Sequence, residues 1–393
     1  MDEKYYWTLK DIPPAKAHFF ITPQNQMTNA LLTKTQIIAS RLFGLIEGYV
    51  YTARGHQDSS IYTGYSGIAL IHFLIYKKTK DINSFKMAKE LTDIALTKLS
   101  GVDVSFLTGD AGPLALGIIL NSLDGDTIQS SALCLSLIQL GQNPSPDISC
   151  ALIDGWAGYL YALLFVNKHA PGSIPYDVVR KVVMRIIDRG MKNSSNKGTK
   201  VPLVFEWKGL NYRGALYGTC GILYVLMCSN VLEEPELSRL IQPTVDDLVR
   251  VQKSTNFSSH EKSEESLVQW DLGAAGYVPL FIKASEMLHH SYLGYAKGAA
   301  SIAWKRGLLK KGYSLCHGVP GNAYSFLSIY RKTNNRRQLL RAMAFMEWCL
   351  TWPRYEDYLP DRPFSLFKGY SSLIYFFNDM RDMSNTAFPG YEL

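Results

Sequence analysis

One short phrase recurs along this chain and constrains everything else: Gly-x-x-Gly followed at once by an apolar, often aromatic run. It appears as TGYSGIALIHFLIY (Gly64, Gly67), TGDAGPLALGIIL (Gly109, Gly112) and DGWAGYLYALLFV (Gly155, Gly158). It returns as YGTCGILYVLM (Gly218, Gly221), LGAAGYVPLFI (Gly273, Gly276) and HGVPGNAYSFLSIY (Gly318, Gly321). A seventh copy, KGYSSLIYFF, keeps Gly369 but has Ser372 where the second glycine would stand. Self-similarity at this spacing marks a repeat architecture, in which each unit buries its apolar face against its neighbours.

Amphipathic segments fill the gaps. SFKMAKELTDIALTKL predicts a helix capped by Ser84, and YDVVRKVVMRIIDRG one that stops at Gly190. RQLLRAMAFMEWCL and TNALLTKTQIIASRLFGLIEGYV read the same way, and strand-like alternation is almost absent. Each repeat is therefore an amphipathic helix, a glycine turn and a second helix that is apolar nearly all round. Seven such hairpins bury most surface if they close on themselves. The expected fold is all-α, an α/α toroid with an inner and an outer ring of seven helices. Residues 28–393 form it, and residues 1–27 are a tail packed on the barrel. An open solenoid would need polar end caps, which are not evident. The glycines are expected to supply positive φ and close backbone approach at the turns. Two polar inserts, MKNSSNKGTK (191–200) and STNFSSHEKSEES (254–266), are expected as surface loops.

Bulk properties narrow the function. Hydrophobic residues make up 47% and charged residues 19%, which excludes a disordered chain. No apolar run is long enough for a transmembrane helix. The start, MDEKYYWTLKDIPP, lacks the features of a secretory signal and has no glycine at position 2 for myristoylation. Six scattered cysteines show no disulfide pattern, so a reducing, cytoplasmic setting with at most peripheral membrane contact is expected. The net charge of +7 lies in YKKTK, KRGLLKK and YRKTNNRRQ. It is too diffuse for nucleic acid, and leaves an anionic small molecule, an acidic peptide or an anionic membrane face.

If every turn lies at one end of the barrel, the residues around each Gly-x-x-Gly meet at a common mouth, where inner-helix N-termini favour anions and thiolates. Cys316 and His317 are the chain's adjacent Cys-His pair, and Asp271 comes from the neighbouring repeat. Thiolate, imidazole and carboxylate suit a zinc ion with an open fourth position. The plainer reading is a core thiol beside a histidine satisfied by a carbonyl. Asp110, Asp154 and Asp271 could alternatively form a carboxylate set for glycoside hydrolysis.

The motifs together resemble a known family. The seven copies, with FLTGDAGPLAL, GYLYALLFVNK, LLKKGYSLCHG, PDRPFSLFKG and the terminal FPGYEL, are similar to the eukaryotic LanC-like proteins, relatives of bacterial lanthionine cyclases. The resemblance implies a zinc-bearing toroid that adds glutathione to dehydroalanine or dehydrobutyrine residues. Those residues arise in phosphoproteins by loss of phosphate, which makes such polypeptides, or kinases, the expected partners. Carried over residue by residue, it implies zinc ligands at Asp271, Cys316 and His317, although Asp271 stands where the family has cysteine. It places Tyr217 where the family has its acid histidine. It implies glutathione contacts from Lys311 and from Tyr358, Pro360 and Asp361. The two replacements leave a second expectation: a catalytically silent scaffold that binds glutathione or a protein.

Overall fold

The computed structural model describes residues 5–52, 58–142, 147–233, 235–263, 267–354 and 362–393. Among the described residues fourteen α-helices alternate between two rings. The outer helices are α1 (Asn29–Thr52), α3 (Ile82–Leu96), α5 (Thr127–Leu140), α7 (Tyr176–Lys197), α9 (Pro235–Arg250), α11 (Tyr292–Arg306) and α13 (Arg336–Cys349). The inner ones are α2 (Tyr65–Thr79), α4 (Ala111–Asp124), α6 (Trp156–His169), α8 (Thr219–Cys228), α10 (Ala274–Met287), α12 (Val319–Thr333) and α14 (Ser371–Asp379). Each inner helix packs on the next, and α14 packs on α2, so the inner ring is closed. The expected toroid is what the chain forms. Inner helices are buried almost throughout because they were apolar all round: α4, for example, buries every residue from Ala111 to Asn121.

A girdle of backbone hydrogen bonds joins the repeats at one end. At five of the seven junctions among the described residues, the residue two places before the first glycine of one copy donates its N–H to the carbonyl of its counterpart in the next. Tyr62 N donates to Leu107 O (2.8 Å), Ile153 N to Leu216 O (3.1 Å) and Leu216 N to Asp271 O (3.0 Å). Cys316 N donates to Phe367 O (3.0 Å), and Phe367 N to Tyr62 O (3.2 Å), which ties the last repeat to the first.

The glycines serve closeness rather than handedness. At the helix N-caps Gly64, Gly155, Gly218, Gly273 and Gly318, φ lies between −107° and −128°, extended backbone open to any residue. The expectation of positive φ is thus overturned. What excludes a side chain is the carbonyl six residues earlier. A Cβ on Gly276 would lie 2.2 Å from Trp270 O, and one on Gly321 1.8 Å from Leu315 O. In the seventh copy Ser372 solves the same problem differently. Its hydroxyl donates to Leu366 O, again six residues back (2.6 Å), and accepts from Leu315 N (2.9 Å).

Three local expectations also change. Asp81, not Ser84, caps α3, its carboxylate accepting from Asn83 N and Ser84 N, because Asp81 sits where the chain is still extended while Ser84 is already inside the helix. Helix α7 runs past Gly190, which nestles against Phe205, and continues through most of the 191–200 insert to end at Gly198 (φ 60°). Residues 256–259 of the 254–266 insert are buried: Asn256 caps Ala274 N, and Phe257 stacks on Tyr277 at 4.0 Å.

Both termini are drawn onto the barrel. Trp7 N donates to Leu308 O, Lys310 N to Tyr5 O, and Asp11 pairs with Arg337 and Arg341. At the far end the strap 386–393 enters the barrel. Phe388 stacks on Trp270 at 4.0 Å, Tyr391 Oη donates to Gly276 O (2.9 Å), and the buried Glu392 accepts from Ser328, Arg331 and Phe388 N.

Gly321→Ala should cost about 3 kcal/mol or more in chemical denaturation, since the Cβ meets immovable backbone. Gly298→Ala, on the open side of α11, should be neutral or stabilise by roughly 0.5–1 kcal/mol.

Candidate metal centre

The girdle sorts side chains by position. Its seven members, Tyr62, Leu107, Ile153, Leu216, Asp271, Cys316 and Phe367, are all buried. Their immediate successors, Thr63, Thr108, Asp154, Tyr217, Leu272, His317 and Lys368, are all at least partly open to the mouth. Only two girdle positions carry metal-ligating heads, Asp271 and Cys316. They fall in consecutive repeats, so their side chains converge, and His317 joins them from the outward position beside Cys316.

His317 Nε2 lies 3.1 Å from Asp271 Oδ2, and Cys316 Sγ lies 3.4 Å from His317 Nε2. One donor atom from each of the three residues can be chosen so that all lie within 4.8 Å of one another. Among the described residues Asp271 Oδ1 has no hydrogen-bond partner, a buried, orphaned acceptor on one of the three cluster residues. An oxygen, a sulfur and a nitrogen donor, with an unsatisfied carboxylate oxygen and an open side, could hold a divalent ion of the zinc type.

Without a cation the electrostatics favour protons. Burial, and then Asp271, push the Cys316 thiol up. Negative charge on Cys316, and then the Asp271 hydrogen bond, raise His317, and of these two Asp271 acts whichever form the sulfur takes. A bound cation reverses this preference by requiring thiolate and neutral imidazole.

Asp271 and His317 line one side of a cavity of about 420 Å³, with Cys316 buried behind them. Trp207, Tyr212 and Tyr217 make an aromatic wall, with Trp207 and Tyr217 ring centroids 4.4 Å apart. Lys311 and Lys368 bring positive charge to the same space. Burial, then the Cys316 sulfur, raise the Tyr217 phenol, so it stays protonated at neutral pH.

The other sequence expectations distribute unevenly. Asp110 is buried and taken up by Ser100 and Gly101, and Asp154 by Ser149 and Trp207 Nε1. Neither belongs to the triad. Arg306 and Lys310 lie over Tyr6 and Trp7 of the N-terminal segment. Tyr358, Pro360 and Asp361 lie outside the described residues.

Sequence reasoning missed Tyr62. Its phenol, stacked on Phe367 at 4.8 Å, donates to Cys316 Sγ at 2.9 Å across 254 residues of chain. It also missed Lys368, whose ammonium sits over the Tyr62 ring. Applying the two-position register to the first and seventh copies would have found both.

A sequence profile described as "Lanthionine synthetase C-like protein" matches residues 55–393. The chain belongs to the lanthionine synthetase C-like family. It is 33% identical over 385 residues to the zebrafish (Danio rerio) "Glutathione S-transferase LANCL1", covering 94% of each chain. It is 28% identical over 401 residues to "LanC-like protein GCL1" of Arabidopsis thaliana, covering 97% of this chain and 92% of the other. The solved structure of nisin cyclase shares the fold, with a TM-score of 0.68 over 88% of this LanC-like chain and 94% of that one, at 16% identity. Among the described residues no helix is long and apolar enough to cross a membrane.

Burial raises the pKa of the thiols of Cys150, Cys220, Cys316 and Cys349, and Cys228 sits at about 11. These groups are therefore neutral at pH 8. Ellman's reagent should react slowly with the native, metal-free chain and promptly with all six cysteines once it is unfolded.

Proposed function

We propose that this LanC-like protein adds glutathione to dehydroalanine and dehydrobutyrine residues of polypeptides, with Asp271, Cys316 and His317 holding a zinc ion. The observation that carries the reading is the convergence of those three side chains beside a cavity. The relative named as a glutathione S-transferase supports glutathione as the thiol. Zinc, when bound there, would present the thiol as thiolate at neutral pH.

The chain's own groups account for the rest. Lys311, on the cavity wall, holds a glutathione carboxylate, and Tyr358, Pro360 and Asp361 are assigned to the same ligand by the family resemblance alone. The sulfur forms a bond to the acceptor's β-carbon, the π-electrons move onto the adjacent carbonyl, and a proton then goes to the α-carbon. No group leaves. Tyr217 is the proton donor, its phenol kept protonated beside the site. Tyr62 fixes the sulfur of Cys316 from behind. The acceptors are polypeptides in which phosphoserine or phosphothreonine has lost phosphate, met in the cytoplasm or at the inner face of the plasma membrane. Such a protein would contact kinases and their products.

A second reading has its own support. The His317–Asp271 pair and the Tyr62–Cys316 bond satisfy much of the triad internally. That arrangement also suits a silent scaffold that binds glutathione or a protein partner.

Metal analysis and an adduct assay separate the two. One equivalent of zinc, with a glutathionyl product on a dehydroalanine peptide seen by mass spectrometry, is expected. Cys316→Ala should lose both. Tyr217→Phe should keep the metal and slow addition about a hundredfold, and Tyr62→Phe should weaken zinc binding roughly tenfold. Zinc or glutathione binding with no product supports the scaffold. A chain that takes up neither sinks the enzymatic reading and the glutathione-binding scaffold.

A further inference from the structure

Two basic runs of the sequence, YKKTK and YRKTNNRRQ, play no part at the mouth. They meet at the opposite end of the barrel, where the inner helices finish. There Lys77 and Lys78 in the last turn of α2, Lys168 and His169 in that of α6, and Arg331 in that of α12 surround a second cavity of about 490 Å³.

Cations at helix C-termini are favourable in their own right, and that explains two of these groups. Lys78 donates to the carbonyls of Asp379, Asp382 and Asn385 and pairs with the buried Asp379 at 3.2 Å. Arg331 pairs with Glu392 and donates to Thr386 O. These contacts use the nearby acids. Glu392 is engaged by Arg331 and Ser328, and Asp382 by Ser384 and Asn385.

Lys77 and Lys168 are left over. Among the described residues neither has a carboxylate within ion-pair distance, and the polar neighbour of Lys77 is His169 Nδ1 at 3.4 Å. That imidazole is neutral, pushed down to about 3 by burial and by the two lysines. Desolvation, then the charge of Lys168, lower Lys77 to about 8, so the two ammonium groups crowd each other at one rim. Behind them the wall is apolar: Leu70, Phe73, Leu74 and Phe165 line the same cavity. A negative head over the lysines and a hydrocarbon body against that wall would complement both parts.

We propose that this far-end cavity binds an anionic amphiphile, with a carboxylate or phosphate head held by Lys77 and Lys168 and its apolar body in the pocket behind them. The site is separate from the metal centre and does not depend on the chemistry proposed there. Its ligand could arrive as a free acid or as the head of a membrane lipid, which share this chemistry.

Decanoate, kept below its micellar concentration, is the probe. Calorimetry on the wild-type chain should show saturable binding, with decylammonium inert. Lys77→Met combined with Lys168→Met should weaken decanoate at least about tenfold, the worth of a charge-assisted hydrogen bond. Lys168→Glu should admit decylammonium instead, a reversal that a merely damaged fold would not produce. Phosphatidylcholine vesicles with and without phosphatidylserine form the second arm. Vesicle binding that needs phosphatidylserine and is lost in the double variant, alongside decanoate binding, identifies a lipid source; decanoate binding alone identifies a free acid. No saturable decanoate binding by the wild type, or binding unchanged in the double variant, overturns the proposal.

Discussion

The close approach of backbone to backbone at the seven corners is the constraint on which the structure rests. Each inner helix begins under a carbonyl from six residues earlier, at a distance that leaves no room for a β-carbon. Bringing the chain that near lets a girdle residue reach its counterpart in the next repeat through main-chain hydrogen bonds. Side chains could vary widely without disturbing this, because the joints are made of peptide groups. Ser372 shows how little latitude exists: the one copy that admits a side chain there turns its hydroxyl into a surrogate for the missing closeness.

The same corners decide where chemistry can occur. A girdle position buries its side chain and the next one exposes it, so each repeat offers one sheltered and one accessible group at the mouth. Sheltered Asp271 and Cys316 and accessible His317 form a cluster because they obey this register in neighbouring repeats. The Asp271 carboxylate makes the donor set harder than a thiolate in its place would. The buried, unpartnered Oδ1 is the local cost of that arrangement.

Much of this was legible in the sequence because repetition amplifies weak signals. Seven glycine phrases before apolar runs gave the ring, and the position of Cys316 and Asp271 within them gave their meeting. What stayed hidden depended on tertiary distance. Tyr62 looks like an ordinary core tyrosine until the ring closes and its phenol meets Cys316. Gly190 resembles a helix stop, yet α7 continues because Phe205 packs into the space a side chain would occupy. The torsions of the corner glycines could not be inferred either, since crowding and positive φ select the same residue.

The strap at residues 386–393 carries a consequence for how the molecule comes into being on the ribosome. Phe388 supports Trp270, the neighbour of Asp271, and Phe367 must reach back to Tyr62 to complete the girdle. These contacts join segments more than a hundred residues apart, so a nascent chain holds open arcs of hairpins but no finished mouth. The donor cluster thus comes into register only as the final segment emerges, and shortened translation products are born without it.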